Sequence, residues 1–483
     1  MKKTAITIFC FLLVMSACGG GSNGDGPNGP APEPTPNNPQ GLAEQNLVRA
    51  MEIADNAVSN YFAGEGMTMA RYYNPYTNVR SEEVGSVWMY TSSIEAVNAI
   101  LSGLKALRAS GKTELYDGHF GRYTELLRRL YDSADYYKGT FTLTSYTQTK
   151  EWTIYGVDRG RAKGTARVEG IYNVYDDQQW LVRELLESYK LTNNIAYLES
   201  AEYLTEYVLD GWDCSLDNAG NEHGGIPWGP GYTTKHSCSN GPMVSPLVWL
   251  HELYKGKNDE VIHRYVAADQ SRVAVSMKKS DYYLEFAEKV YEWQKKHLLR
   301  ADGVYDDMMG GCVPNCDVAY ETISGVRYRK HTGLRDRIGP AYTYNSGTML
   351  SGAADLYRAT GNNAYLDDAK KLTDASFRYF ARLGATKPGY YTYDISGFNN
   401  WFNGVMMRGY VDLYPSYKNV NVCIDSFQKN LDYGYDNYLY KSMLPTNLLV
   451  GWSRENSNNS VEGMFAFTFA AEYAVLARYE LEK

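Results

Sequence analysis

The feature that most limits what this chain can fold into is a segment that occurs twice. Tyr189-Lys190-Leu191-Thr192-Asn193-Asn194-Ile195-Ala196-Tyr197-Leu198 matches Tyr357-Arg358-Ala359-Thr360-Gly361-Asn362-Asn363-Ala364-Tyr365-Leu366. The register continues through Ala201 with Ala369, Leu204 with Leu372 and Thr205 with Thr373. In each copy an apolar helical stripe stops at a Thr/Asn/Gly turn and a second stripe begins, the pattern of a helical hairpin. A third version ends at Leu253-Tyr254 and resumes at Tyr283-Leu284, split by a polar insertion, and a fourth starts at Leu413-Tyr414. One hairpin cannot cover its own apolar face, so neighbours must stack on it.

Helical periodicity recurs in Leu47–Tyr61, Ile94–Leu107, Trp180–Tyr189, Tyr197–Val208, Tyr283–Leu298, Met349–Tyr357, Tyr365–Phe380 and Met464–Tyr479, while long period-two runs are scarce. The irregular stretches between hairpins are long enough to carry function. In a closed ring such loops gather on one face and build a cleft. The expected fold is therefore all-α: a closed (α/α)6 toroid over residues 42–483, preferred to an open solenoid.

The N-terminal residues speak to location. Lys2 and Lys3 precede an apolar run, Ala5–Val14, too short to cross a bilayer, and Met15-Ser16-Ala17-Cys18 follows. Residues 1–17 read as a bacterial lipoprotein signal peptide and Cys18 as the lipid anchor. Residues 18–41, rich in Gly, Pro, Asn and Ser, read as a flexible tether. The expected location is the cell envelope, at the outer membrane. Export permits disulfides. Cys312 with Cys316 is a plausible local bridge, and Cys214 with Cys238 is a second possibility.

A net charge of −8 argues against a nucleic-acid partner. The 44 tyrosines and 9 tryptophans offer flat apolar faces with hydrogen-bonding edges, which suit sugar rings, although most of the tyrosines must simply pack between helices.

The sharpest chemical feature is Tyr172-Asn173-Val174-Tyr175-Asp176-Asp177-Gln178-Gln179-Trp180, where two adjacent carboxylates meet a helix start. They can cap that helix. They can also serve as the two carboxyl groups of a glycosidase, which lie ~5–5.5 Å apart when configuration is retained. Like charges so close push one pKa up, and the protonated partner becomes the acid. A second pair, Asp306-Asp307, lies in a Gly-flanked turn and suits a turn cap or a calcium contact better than catalysis. His223, His236 and His251 read as solvated or packed. No cofactor or metal site is expected.

The Asp176-Asp177 pair before a Trp-containing helix resembles the catalytic signature of glycoside hydrolase family 76. Further segments are similar in the same order: Gly224-Gly225-Ile226-Pro227-Trp228, Ser239-Asn240-Gly241, Tyr342-Thr343-Tyr344-Asn345-Ser346-Gly347, Leu356-Tyr357-Arg358-Ala359-Thr360-Gly361, and Phe402-Asn403-Gly404 with Arg408. The resemblance runs from about Leu42 to the C-terminus. It departs at Gln178-Gln179, Pro227 and Asn403, and the insertions near Gly256–Lys279 and Gly310–Arg337 are unfamiliar. It implies a six-hairpin toroid that cleaves α-1,6-linked mannan with retention, with Asp176 as nucleophile and Asp177 as acid/base.

Trp88, Tyr175, Trp228, Asn240, Tyr344, Asn345 and Trp401 are the candidate sugar contacts, and Arg408 reads as the partner of a structural carboxylate. Arg159, Arg161, Lys163 and Arg167 would favour an anionic glycan if they lined the cleft. The expected partners are α-mannan and a membrane, with a monomeric chain. Two other readings stand beside this one: a non-catalytic glycan-binding envelope lipoprotein, and another toroid enzyme such as an unsaturated-uronyl hydrolase.

Overall fold

The computed structural model describes residues 39–483. The expected signal peptide, Cys18 and most of the expected tether lie outside the described residues. Among the described residues twelve α-helices follow one another: α1 Pro39–Tyr61, α2 Val87–Ala109, α3 Glu114–Ala134, α4 Tyr175–Thr192, α5 Ile195–Asp210, α6 Val244–Tyr254, α7 Lys279–Leu298, α8 Thr343–Thr360, α9 Asn363–Phe380, α10 Asn399–Leu413, α11 Asn421–Tyr438 and α12 Gly463–Glu482. The first helix takes in residues 39–41, which the sequence reading assigned to the tether.

The helices pair as α2 with α3, α4 with α5, α6 with α7, α8 with α9, α10 with α11, and α12 with α1. The even-numbered helices also pack in succession, α2 on α4, α4 on α6, α6 on α8, α8 on α10 and α10 on α12, and α12 packs on α2. The two sets bury themselves differently. In α8 every residue from Thr343 to Leu356 is buried. In α3 only a stripe is buried, through Tyr123, Leu127, Leu130 and Ala134. Two glycines let α8 and α10 touch backbone to backbone. A Cβ on Gly347 would lie 2.6 Å from the Met406 Cα, and one on Gly409 would lie 2.4 Å from the Gly347 carbonyl oxygen.

The repeated segment builds the same turn twice. Helix α4 ends on Asn193 and α8 on Gly361, both left-handed, with φ of 57° and 71°. The next residue, Asn194 or Asn362, caps the following helix by accepting from the backbone N–H of Ala196 or Ala364.

The connections hold more strand than periodicity suggested. Lys138–Thr144 pairs antiparallel with Thr149–Tyr155, from Lys138↔Tyr155 to Thr144↔Thr149. Within it Phe141 and Leu143 are buried while Thr140 and Thr142 are exposed. The first insertion is a hairpin, Glu260–Val266 with Arg272–Lys278, that runs into α7. The second contributes Met308–Val313, the centre of a three-stranded antiparallel sheet with Gly333–Ile338 and Lys235–His236. Cys312 and Cys316 form a disulfide. The possible Cys214–Cys238 bridge does not form, and both thiols are free. Among the described residues no helix is long and apolar enough to cross a membrane.

Candidate active site

An aromatic-walled cleft of about 390 Å³ is lined in large part by residues that begin helices. Trp88 is in the first turn of α2. Asp176 is in the first turn of α4, with Trp180 one turn further on the same face. Tyr342 and Tyr344 start α8, and Asn399, Trp401 and Phe402 start α10. Trp228, His236 and Cys238 come from the segment between α5 and α6, and Asp307 from the turn after α7. The aromatic wall is rigid because its rings pack edge to face. Trp401 meets Trp88 at 5.2 Å and 85°, and Trp180 at 4.8 Å and 88°.

Local sequence explains how Asp176 and Trp228 come together. The N–H of Tyr175, free at the start of α4, donates to the Trp228 carbonyl at 2.7 Å. The Trp228 loop leaves Gly224 and Gly225, whose φ values are 69° and 77°. A Cβ on Gly225 would lie 2.3 Å from the Trp293 ring. Trp228 then stacks on His236, with centroids 4.8 Å apart and planes at 19°.

The two aspartates sit in different surroundings. Asp176 faces the cleft. Burial pushes its pKa up to about 6, while the Cys238 thiol, backbone N–H groups at the helix start and the nearby Trp228 indole pull it back down. Asp177 is 6% exposed and does not line the cleft. Burial, and then the charge of Asp176, push its carboxyl well above the usual range. Asp176 Oδ1, Trp88 Nε1 and Trp228 Nε1 are all buried without a hydrogen-bond partner. The three residues line the same cleft, so unsatisfied polar atoms and apolar ring faces border one space.

Trp88, Asp176, Trp228, Tyr344 and Trp401 thus meet in the cleft. Three expected sugar contacts do not. Tyr175 is buried against Tyr207, because the side chain next to Asp176 leaves the helix about 100° away. Asn240 is wholly buried and spent on the loop: its Oδ1 accepts from the Ile226 N–H at 2.8 Å, and its Nδ2 donates to the His236 carbonyl at 2.7 Å. Asn345 is also wholly buried, and it donates to the Tyr305 carbonyl at 3.3 Å.

The basic cluster faces elsewhere as well. Arg159 donates to the Gly66 carbonyl, Lys163 pairs with Asp132, Arg167 lies over Tyr172, and Arg161 is exposed. Arg408 does pair with a carboxylate, that of Glu95.

Trp180, His236, Cys238, Asp307, Tyr342 and Phe402 also line the cleft, beyond the residues expected there from sequence. Trp180 was legible as the i+4 neighbour of Asp176. The second aspartate pair divides: Asp306 pairs with Arg300 and Arg337, whereas Asp307 lines the cleft and accepts from the Tyr344 hydroxyl at 2.8 Å. Burial raises the Asp307 pKa and lowers that of His236 to about 4, so this imidazole is neutral at pH 7. Nothing local in the sequence marks Asp307, His236 or Cys238 as neighbours of Asp176.

Residues 267–421 match the sequence model of Glycosyl hydrolase family 76. The mannan endo-1,6-alpha-mannosidase DCW1 of Candida glabrata is 25% identical over 182 residues, which are 37% of this chain and 32% of the relative. The aligned part of the chain thus spans about a third of the length of the curated relatives it matches. Among solved structures, the family 76 mannosidase Bt3792 of Bacteroides thetaiotaomicron VPI-5482 aligns with a TM-score of 0.65 at 20% identity, covering 91% of this chain and 99% of that one. An inactive variant of the α-1,6-mannanase GH76A of Salegentibacter sp. HEL1_6, with two successive aspartates replaced by alanine and α-1,6-mannotetrose bound, aligns with a TM-score of 0.59 at 20% identity. It covers 90% of this chain and 99% of that one. Residues 267–421 thus match the family 76 model, and the described chain shares the fold of the solved family 76 structures it aligns with.

Proposed function

We infer that this protein is a retaining, endo-acting α-1,6-mannanase. The observation that carries the reading is the pair of adjacent carboxyls at the start of α4, with different proton affinities, beside an aromatic cleft. Asp176, the more acidic and the one facing the cleft, attacks the anomeric carbon. Asp177, which keeps its proton, donates it to the leaving oxygen and then activates water. The Salegentibacter variant lacking two successive aspartates is inactive and holds α-1,6-mannotetrose, and the curated relatives are named as mannan endo-1,6-alpha-mannosidases, which supports this substrate class. The rings of Trp88, Trp228 and Trp401 line the cleft and offer apolar faces on which a sugar ring packs.

The same reading takes the helices as a closed toroid, supported by the contact of α12 with α2. It also takes Cys18 as the lipid anchor of a monomeric envelope protein acting on captured polysaccharide.

The test is product release from linear α-1,6-mannan by the wild type beside Asp176→Asn and Asp177→Asn. Short mannooligosaccharides from the wild type alone, with each variant slowed at least ~10³-fold, are expected. Mannan bound but uncleaved by the wild type would favour the glycan-binding reading. Neither binding nor cleavage would point to another substrate class.

A further inference from the structure

Trp401 differs from the other two cleft tryptophans that carry candidate contacts. The indole N–H groups of Trp88 and Trp228 have no partner, whereas that of Trp401 is already committed. It donates to one carboxylate oxygen of Glu95 at 3.1 Å, and the other oxygen of Glu95 pairs with Arg408. The spacing along the chain explains the contact. Glu95 lies seven residues beyond Trp88 on α2, and Arg408 seven beyond Trp401 on α10. Seven residues are about two helical turns, so each pair shares a face of its helix. The backbones of Glu95 and Arg408 therefore lie two turns beyond those of Trp88 and Trp401, and the Glu95 carboxylate meets the Trp401 indole in between. Both side chains are largely withdrawn from solvent, at 17% and 7% exposed, where a charge-assisted contact is little screened.

We propose that Glu95 and Arg408 are positioning residues: the carboxylate, held by the guanidinium, fixes the Trp401 indole against Trp88 and Trp180 and so sets the wall on which a sugar ring packs. Trp401 meets the sugar through its ring alone, because its N–H faces away into the helix bundle. Neither Glu95 nor Arg408 lines the cleft. The inference rests on the mannanase reading for its substrate and on the geometry above for its cause.

The experiment is a double-mutant cycle on the full chain, with α-1,6-mannotetraose as the probe. Glu95→Ala and Trp401→Phe are each expected to raise KM about 10-fold with kcat changed less than about 3-fold. Glu95→Gln keeps an oxygen for the indole and is expected to recover part of the loss. In the Trp401→Phe background, Glu95→Ala is expected to add nothing, since the N–H it served is gone. Effects that multiply to about 100-fold would overturn the proposal, as a merely structural role of Glu95 predicts. If Glu95→Ala does not fold, Glu95→Gln closes the same cycle. Near-ultraviolet circular dichroism without substrate separates this proposal from the mannanase reading. Replacing Glu95 is expected to change the tryptophan bands in the wild-type background but not in the Trp401→Phe background. An unchanged spectrum in the wild-type background overturns the positioning role, whatever the substrate proves to be.

Discussion

Asp176 and Asp177 are neighbours in sequence, yet the turn of the helix sets their carboxyls in different surroundings, Asp176 lining the cleft and Asp177 more deeply buried. The physical consequence is a pair that gives up its protons in two steps. With Asp176 as nucleophile, activity requires its carboxylate, whose pKa is held near 6, while Asp177 must keep its proton. The acid limb of kcat/KM is therefore expected near pH 6, with activity rising as Asp176 ionises. A pH profile on α-1,6-mannan checks this, and an acid limb at the ordinary carboxylate pKa near 4 would contradict it. His236, neutral throughout the range above its pKa of about 4, is expected to leave no limb of its own near neutrality.

Among the elements, the twin turns offer a controlled comparison. Asn193 and Gly361 occupy the same left-handed position after the same helical sequence. A Cβ on Gly361 would meet nothing within 4 Å, so only the backbone conformation opposes a side chain there. Gly361→Ala is expected to lower stability by about 1 kcal/mol. Asn193→Gly, which imports the residue of the twin, is expected to raise it by a few tenths of a kcal/mol. Chemical denaturation of both variants beside the wild type reads the two signs. Changes of the same sign would show that the two turns are not equivalent. These turns were fully legible in the sequence because every interaction in them lies within four residues. The β-hairpins were less so. The alternation in Lys138–Thr144 was present but short, and the strands of the second insertion pair across an interval that no local pattern spans.

For the molecule as a whole, the packed even-numbered helices create a cost at their centre. Glu472 on α12 is 5% exposed, and burial followed by the charge of Glu95 lifts its pKa to about 8. The unfolded chain releases that proton near 4.5. Between these values the folded state binds more protons than the unfolded state, so stability falls as pH rises from about 4.5 to about 8. Glu472→Gln removes the titration. Thermal unfolding is expected to show a stability gap in favour of the variant that widens across that window, reaching on the order of a few kcal/mol. A gap that stays constant with pH would assign the effect to something other than the Glu472 proton.

The sequence alone determined the helical hairpins, their turns, the placement of Asp176 and Asp177 at a helix start, and an aromatic content suited to sugars. Each of these follows from interactions between residues a few positions apart, through helical periodicity, caps and the free N–H groups of a first turn. Only the tertiary structure decided which side chains meet. It brought Asp307, His236 and Cys238 to Asp176, and it turned Tyr175, Asn240 and Asn345 inward to packing and loop hydrogen bonds. It also set Glu95 against Trp401, more than three hundred positions away in the chain. The reason is that a side chain's neighbours across a cleft depend on how whole helices are rotated and stacked. That rotation is settled by burial summed over the core and by close approaches such as Gly347 against Met406, not by any local run of residues.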